Sequence, residues 1–188
     1  MKPGVKRELG AWLVLCAAGA GLPLLAAGRV WTSVTYGAAA PVELTGGDLA
    51  PAGQPLALAA LAAMVALFAT KGVWRRIVGG VLALCGAGVA LLAWQGADDS
   101  AARELAARRN PVGAATQEVT ALVHAVWPYV ALAGGALLVA AGVLAAVRGT
   151  GWASMSGRYD RPRTDAGPRD DKSLWEAIDR GDDPTEER

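Results

Sequence analysis

The sequence predicts an all-α membrane protein with four transmembrane helices, both termini in the cytoplasm, a short β-like ribbon outside and a mostly disordered cytoplasmic tail. Of its 188 residues, 53% are hydrophobic and only 19% are charged, and the charges avoid four long windows. A soluble domain of this size spreads its charges over its surface, so the segregation indicates a membrane protein. The apolar windows predict the spans, and the basic residues between them predict the orientation.

Each of the four windows approaches the roughly 20 residues that a helix needs to cross the hydrocarbon core. None of them contains Asp, Glu, Lys, Arg or His. The predicted spans cover residues 9–27, 50–70, 77–94 and 126–147. Between the second and third, KGVWRR predicts a tight interfacial loop and therefore an antiparallel hairpin. The transmembrane domain is predicted to be residues 1–148, with outside loops 28–49 and 95–125.

The first window also has features of a secretory signal. MKPGVKRELG resembles a basic leader, and LPLLAAG offers small residues for cleavage. The apolar run is long for a signal, however, and Arg29 with Trp31 is typical of the interfacial end of a span. We therefore expect a retained first helix, although the sequence leaves open whether it is ever cleaved.

Lys and Arg residues counted by loop predict the orientation. Of the 18 basic residues, 14 fall on the side shared by the N-terminus, the second-to-third connection and the tail. The others are Arg29, Arg103, Arg108 and Arg109. Because the more basic side stays cytoplasmic, both termini are expected in the cytoplasm of a multi-pass plasma-membrane protein.

Six of the seven tryptophans lie at or beside a predicted span end, where an amphipathic indole is favoured at headgroup level. The predicted interfacial anchors are Trp12, Trp31, Trp74, Trp94, Trp127 and Trp152. Small residues spaced four apart predict where helices pack closely. These pairs are Ala17 with Gly21, Gly79 with Ala83, and Ala131 with Gly135.

The two outside loops are the surface expected to meet an external ligand. Residues 30–36 and 42–45 have a β-favouring alternation and TGGD is typical of a turn, which predicts a two-stranded ribbon. The second loop predicts a short helix from Ser100 to Arg109, capped by Asp99 or Ser100. His124 has no Cys, Asp or Glu at ligand spacing, which predicts an interfacial histidine.

Several function classes receive no support from the sequence. Nucleotide-binding, zinc-protease, dithiol and serine-hydrolase motifs are absent, so neither an enzyme nor a bound cofactor or metal is expected. Charge-free spans disfavour ion-coupled transport. A net charge of +1 gives no indication of nucleic-acid binding. Cys16 and Cys85 lie in apolar windows, where packing rather than disulfide formation is expected.

The tail, residues 149–188, is predicted to be disordered except for a short helix over residues 174–180. Ser173 and Glu176 form an S-x-x-E capping box at its start. The candidate docking residues are Leu174, Trp175, Ile178 and Arg180. Because so short a helix is marginal alone in water, it is expected to dock. A cytoplasmic partner and the protein's own cytoplasmic surface remain open as docking sites.

Three segments resemble one known family. MSGRYDRP after the last span, LWEAIDRGDDPT in the tail and PVELTGGDLAP before the second span are similar to the tryptophan-associated transmembrane protein family of high-GC Gram-positive bacteria. The resemblance extends over nearly the whole chain and implies four spans in this order. It also implies genes beside those of tryptophan biosynthesis, but no catalytic or binding residue.

Two hypotheses for the function follow. The first is a non-catalytic accessory protein whose tail recruits a cytoplasmic partner connected with tryptophan biosynthesis. The alternative is a small carrier or channel component for tryptophan or a related aromatic compound. Charge-free spans offer no polar site to a zwitterion, which favours the first. The lipid bilayer is a partner under both hypotheses, and self-association remains open.

Overall fold

The computed structural model describes residues 3–70 and 72–149, with side chains from residue 7 onward. The helices are α1 (Pro3–Ala27), α2 (Gly46–Leu49), α3 (Gly53–Ala69), α4 (Val73–Gly96), α5 (Asp99–Arg109), α6 (Pro111–Thr116) and α7 (Trp127–Arg148). The strands are β1 (Val30–Tyr36), β2 (Val42–Thr45) and β3 (Val119–His124).

Four long helices, α1, α3, α4 and α7, pack side by side as an antiparallel bundle. Trp12, in the first half of α1, meets Phe68 near the end of α3, with ring centroids 6.2 Å apart. The Trp12 indole Nε1 also donates to the Ala141 carbonyl of α7 over 2.8 Å. The buried core consists of Trp12, Cys16, Ala20, Ala60, Ala63, Leu67, Leu82, Cys85, Leu138, Ala141 and Ala145.

Three of these helices are long and apolar enough to cross a membrane: Arg7–Ala27, Val73–Gly96 and Trp127–Arg148. The predicted second span, 50–70, is shorter than expected, because α3 has only 17 residues. The third is longer than expected, because α4 begins at Val73 and so takes most of the predicted KGVWRR loop into its first turn.

The outer surface of the bundle is apolar. Large exposed hydrophobic side chains lie along all four helices. They include Val14, Leu25, Leu58, Val65, Ile77, Val81, Leu84, Leu91, Val143 and Val147. A soluble protein rarely exposes so much apolar surface to water. Such a surface is stable against lipid tails, so the fold agrees with the membrane protein that the sequence predicts.

Helices α4 and α7 approach each other at backbone level. A Cβ atom on Gly79 would lie 2.8 Å from the Ala146 nitrogen, and one on Gly86 would lie 2.7 Å from the Val139 nitrogen. On the opposite helix, a Cβ on Gly135 would lie 2.7 Å from the Ala90 nitrogen. Small residues thus allow the close contact on which helix association in lipid depends.

The contact between α1 and α7 also depends on glycine. Gly19 and Gly134 face each other, and a Cβ on Gly134 would lie 2.9 Å from the Gly19 carbonyl oxygen. The pair predicted in this helix included Gly21, but nothing lies within 4 Å of a Cβ built there. Spacing alone selected the wrong face of α1, because Ala and Gly occur on all its faces.

At one end of the bundle, residues 28–52 and 97–126 form a small domain that we call the cap. Its sheet has the order β2-β1-β3, with antiparallel pairing throughout. β1 and β2 match the predicted ribbon, and β3 is a third strand that was not predicted. The core of the cap contains Val34, Tyr36, Leu44, Ala102 and Ala106.

Short connections join the cap to the bundle. Two residues separate α1 from β1, and two separate β3 from α7. The Ala125 amide donates to the Trp31 carbonyl over 2.8 Å, which extends the β1–β3 pairing to the start of α7. The sheet therefore joins the ends of two helices.

The loops of the cap contain more structure than predicted. TGGD forms the helical turn α2 rather than a simple turn. Helix α5 begins at Asp99, and its N-cap is Asp98 rather than Asp99 or Ser100. Asn110 then caps a second short helix, α6, by accepting a hydrogen bond from the Gly113 amide over 3.0 Å.

Candidate functional site at the junction of bundle and cap

Trp31 fills the junction between the cap and the bundle. Its side chain is only 2% exposed. A Cβ on Gly46 would lie 2.5 Å from the indole, and one on Gly96 would lie 2.8 Å from its opposite edge. The indole Nε1 donates to the Ala26 carbonyl over 2.9 Å. The first glycine of TGGD is therefore needed because an indole occupies the space of its missing side chain.

Asp48 joins three parts of the cap. Its Oδ2 accepts from the Thr45 amide over 2.9 Å and from the Thr45 hydroxyl over 2.7 Å. Its Oδ1 accepts from the Arg109 guanidinium at the end of α5. Arg109 also donates to the Glu43 carbonyl over 3.3 Å. Desolvation acts to raise the pKa of Asp48, but these hydrogen bonds and the Arg109 charge lower it overall.

This lowered pKa predicts an acid-sensitive cap. Asp48 should add stability that is fully present above its unfolded pKa of about 3.9 and lost as the pH falls through the lower folded value. Asp48→Asn should therefore reduce the dependence of unfolding on pH between about pH 5 and pH 2, measured as thermal midpoints of the full-length protein in detergent. Glu104→Gln, on the exposed face of α5, is the control. An unchanged slope in Asp48→Asn would contradict the prediction.

A second polar cluster lies at the start of α5. The His124 Nε2 is 3.1 Å from the Asp99 Oδ1, and the Arg103 guanidinium is 3.7 Å from the Asp99 Oδ2. The sequence predicted an interfacial histidine without an acidic partner, so Asp99 is a partner that only the fold supplies. The pair links β3 to α5.

A cleft of ≈ 490 Å³ opens where α4 ends, α5 begins and α7 begins. Its lining consists of Trp94, Gln95, Ala97, Asp98, Ala101 and Tyr129. Trp94 and Tyr129 are 68% and 62% exposed. Asp98 accepts a hydrogen bond from the Ser100 hydroxyl, and none of the described Lys, Arg or His side chains forms a salt bridge with it.

The tryptophans predicted as interfacial anchors fall into different environments. Trp12 is 0% exposed and Trp31 is 2% exposed, so the structure contradicts that role for both. Each indole N–H instead donates to a helix carbonyl. Trp74 and Trp94 are both 68% exposed at helix ends and remain predicted anchors. Trp127 lies beneath the Arg29 guanidinium, 5.3 Å from the ring centroid.

At the opposite end of the bundle, Arg75 is buried rather than placed in a loop. It is 3% exposed and donates to the Gly149 carbonyl after α7 and, over 3.3 Å, to the Leu67 carbonyl of α3. A guanidinium among helix C-terminal carbonyls is favoured by hydrogen bonding and by the helix dipoles. Nearby, the Arg148 Nη1 lies 3.1 Å from the Glu8 Oε1.

The predicted docking residues lie outside the described residues. These are Leu174, Trp175, Ile178 and Arg180, together with the predicted helix 174–180 and the predicted anchor Trp152. Within the residues that the structure describes, no group of three or more His, Cys, Asp or Glu side chains could hold a metal ion. The cleft and the two ionic clusters of the cap are thus the candidate sites in the described part.

Comparison with known proteins identifies a family. Residues 13–185 match the family model described as tryptophan-associated transmembrane protein. No curated protein and no solved structure matches the chain. The match includes most of the bundle, the cap and most of the tail.

Proposed function

Because the chain belongs to the tryptophan-associated transmembrane protein family, we propose that it is a non-catalytic accessory protein of the plasma membrane. Its bundle and cap hold it in the bilayer, and its tail recruits a cytoplasmic protein of tryptophan biosynthesis. The proposal also includes four spans, with both termini in the cytoplasm. The family name supports the association with tryptophan, and the sequence of the tail supports docking.

The packed interior of the bundle is the observation that carries an accessory role. Helices α1 and α4 each contact α7 closely, at Gly19, Gly86 and Gly134, and the buried Leu138 side chain fills the space beside the first two of these glycines. A cavity bounded by Pro23, Trp31 and other residues near the cap holds only ≈ 10 Å³, about the room of one water molecule. A carrier for an aromatic amino acid would need far more space, so the alternative is not proposed.

The placement of α3 supports a fourth span despite its length. At about 1.5 Å per residue, its 17 residues cover about 25 Å, slightly less than the hydrocarbon core of about 30 Å. Its end is nevertheless provided with hydrogen bonds, since Arg75 and the Thr70 hydroxyl both donate to the Leu67 carbonyl. A helix can end early in the membrane where neighbouring groups supply hydrogen bonds to its end, as they do for Leu67 here.

Cysteine labelling tests this topology. The natural cysteines, Cys16 and Cys85, are both buried, so labels at introduced sites should dominate. With an impermeant maleimide on intact cells, Ala40→Cys and Arg108→Cys should react at once. Arg76→Cys should react only after the membrane is permeabilised.

Protection of all three introduced cysteines in intact cells would contradict the proposed orientation. If Arg76→Cys reacts from outside together with Ala40→Cys, α3 does not cross the membrane. Both results would contradict the four-span proposal.

A crosslinking experiment tests the docking tail. A photoreactive residue placed at position 179, in place of Asp179 of the full-length protein in its native membrane, should crosslink to an enzyme of tryptophan biosynthesis. Trp175→Ala should reduce the crosslink at least about tenfold, the effect of losing about 1.4 kcal/mol of binding free energy. The matched control is Trp152→Ala, which lies in the same tail outside the docking helix. Equal crosslinking in both variants, or crosslinks to lipid alone, would exclude this role.

A further inference from the structure

The cleft beside Trp94 lies where the apolar surface of the bundle meets the polar cap. Trp94 belongs to the last turn of α4, and Tyr129 belongs to the first turn of α7. These two helices pack antiparallel, so both aromatic side chains lie at the same end of two membrane-length helices. A ligand in this cleft would have its apolar part at the level of lipid tails and its polar part against the cap.

The chemistry of the lining selects a cation. Asp98 contributes a carboxylate, and Gln95 contributes a side-chain amide. Asp98 is the N-cap of α5, yet its side chain accepts no hydrogen bond from a backbone amide of that helix. The carboxylate accepts one hydrogen bond from the Ser100 hydroxyl and can therefore accept further hydrogen bonds from a ligand.

The basic side chains described in the cap have other partners. Arg103 and His124 pair with Asp99, and Arg109 pairs with Asp48. Arg108 pairs with Glu104 along α5, and Arg29 lies over Trp127. Asp98 is thus an acid beside two exposed aromatic rings, without a basic side chain among the described residues to neutralise it.

We propose that this cleft binds a primary ammonium group attached to an apolar body. Asp98 accepts its charged hydrogen bonds, while Trp94 and Tyr129 contact the apolar part and add cation–π attraction. A volume of ≈ 490 Å³ lies within the usual range for small-ligand sites. Two sources have this chemistry: the headgroup region of phosphatidylethanolamine, and a free arylalkylamine. The proposal is independent of the docking tail.

Binding to the purified full-length protein tests the proposal with two probes. Native mass spectrometry counts bound phosphatidylethanolamine, with its N-acetylated form, which lacks the ammonium group but keeps the phosphate, as the comparison. Equilibrium dialysis measures tryptamine against N-acetyltryptamine. We expect Asp98→Asn to weaken binding of at least one charged probe about tenfold, as expected for the loss of one charge-assisted hydrogen bond. The N-acetylated forms should bind no better to wild type than to this variant.

Asp99→Asn is the matched control. It removes the same charge from the next residue, whose carboxylate is already paired with Arg103 and His124. It should retain binding of the charged probe. Loss confined to phosphatidylethanolamine identifies a lipid site, and loss that includes tryptamine identifies a site for free amines. If Asp98→Asn proves unstable, Tyr129→Leu provides a second test, because loss of this aromatic ring from the opposite wall should also weaken binding. The proposal is overturned if Asp98→Asn and Asp99→Asn bind alike, if N-acetylated probes bind as well as charged ones, or if neither charged probe binds.

Discussion

Gly79→Val should destabilise the bundle by about 3 kcal/mol, the upper part of the usual range for overpacking a core. Even the first added carbon would lie 2.8 Å from the Ala146 nitrogen and 3.0 Å from the Gly142 oxygen. Both are backbone atoms of α7, so no flexible side chain can move aside. The helices would have to separate, which weakens the contacts on both sides of the mutated position.

Gly80→Val is the matched control, because it adds the same side chain to the next residue of the same helix. Nothing lies within 4 Å of a Cβ at Gly80. Thermal midpoints of the two full-length variants in detergent, compared with wild type, measure the difference. Gly80→Val should stay close to wild type. Similar losses in the two variants would show that helix backbone effects, and not the contact with α7, decide the outcome.

Arg75→Ala should have an effect of similar size. It removes the donor to the carbonyls of Gly149 and Leu67 and leaves a void beneath them. Hydrogen bonds from a charged group contribute about 1.5–3 kcal/mol each, and a buried carbonyl without its donor is itself costly. We therefore expect a loss of about 3 kcal/mol in the free energy of unfolding, shared between the ends of α3 and α7.

The adjacent Arg76 provides the control, since its side chain is exposed on the same helix turn. Arg76→Ala should change the stability by less than about 0.5 kcal/mol, as is usual for surface substitutions. Chemical unfolding of both variants in mixed micelles measures this contrast. If Arg75→Ala proves as stable as Arg76→Ala, desolvation of the guanidinium cancels the energy of its hydrogen bonds.

The sequence could predict the long helices because lipid imposes an apolar composition that is visible without any tertiary contact. It also located β1 and β2 with correct bounds, since β-branched residues alternate there. β3 was not predicted, because Val119–His124 leads directly into the apolar run of the last span. When an apolar strand directly precedes a membrane helix, the average composition of the segment does not show where the strand ends and the helix begins.

The side-chain contacts of the cap and of the opposite end of the bundle could be predicted less well, because they connect distant parts of the chain. Arg109 meets Asp48 across 61 positions, and Arg75 meets the carbonyl of Gly149 across 74. A count of Lys and Arg residues predicts orientation, but it does not distinguish a basic side chain in solvent from one that is buried and donates to the carbonyls at a helix end. Trp12 shows the same limit, since an indole near a span end fits both a lipid anchor and a buried donor.

The two-residue connections on either side of the β1–β3 pair have a mechanical consequence. α1 and α7 each continue almost directly into one of two hydrogen-bonded strands. Scissoring of these helices would shear the ladder and strain all its hydrogen bonds at once. The sheet therefore acts as a brace across the end of the bundle. It opposes the relative rotation of helices on which alternating-access transporters depend.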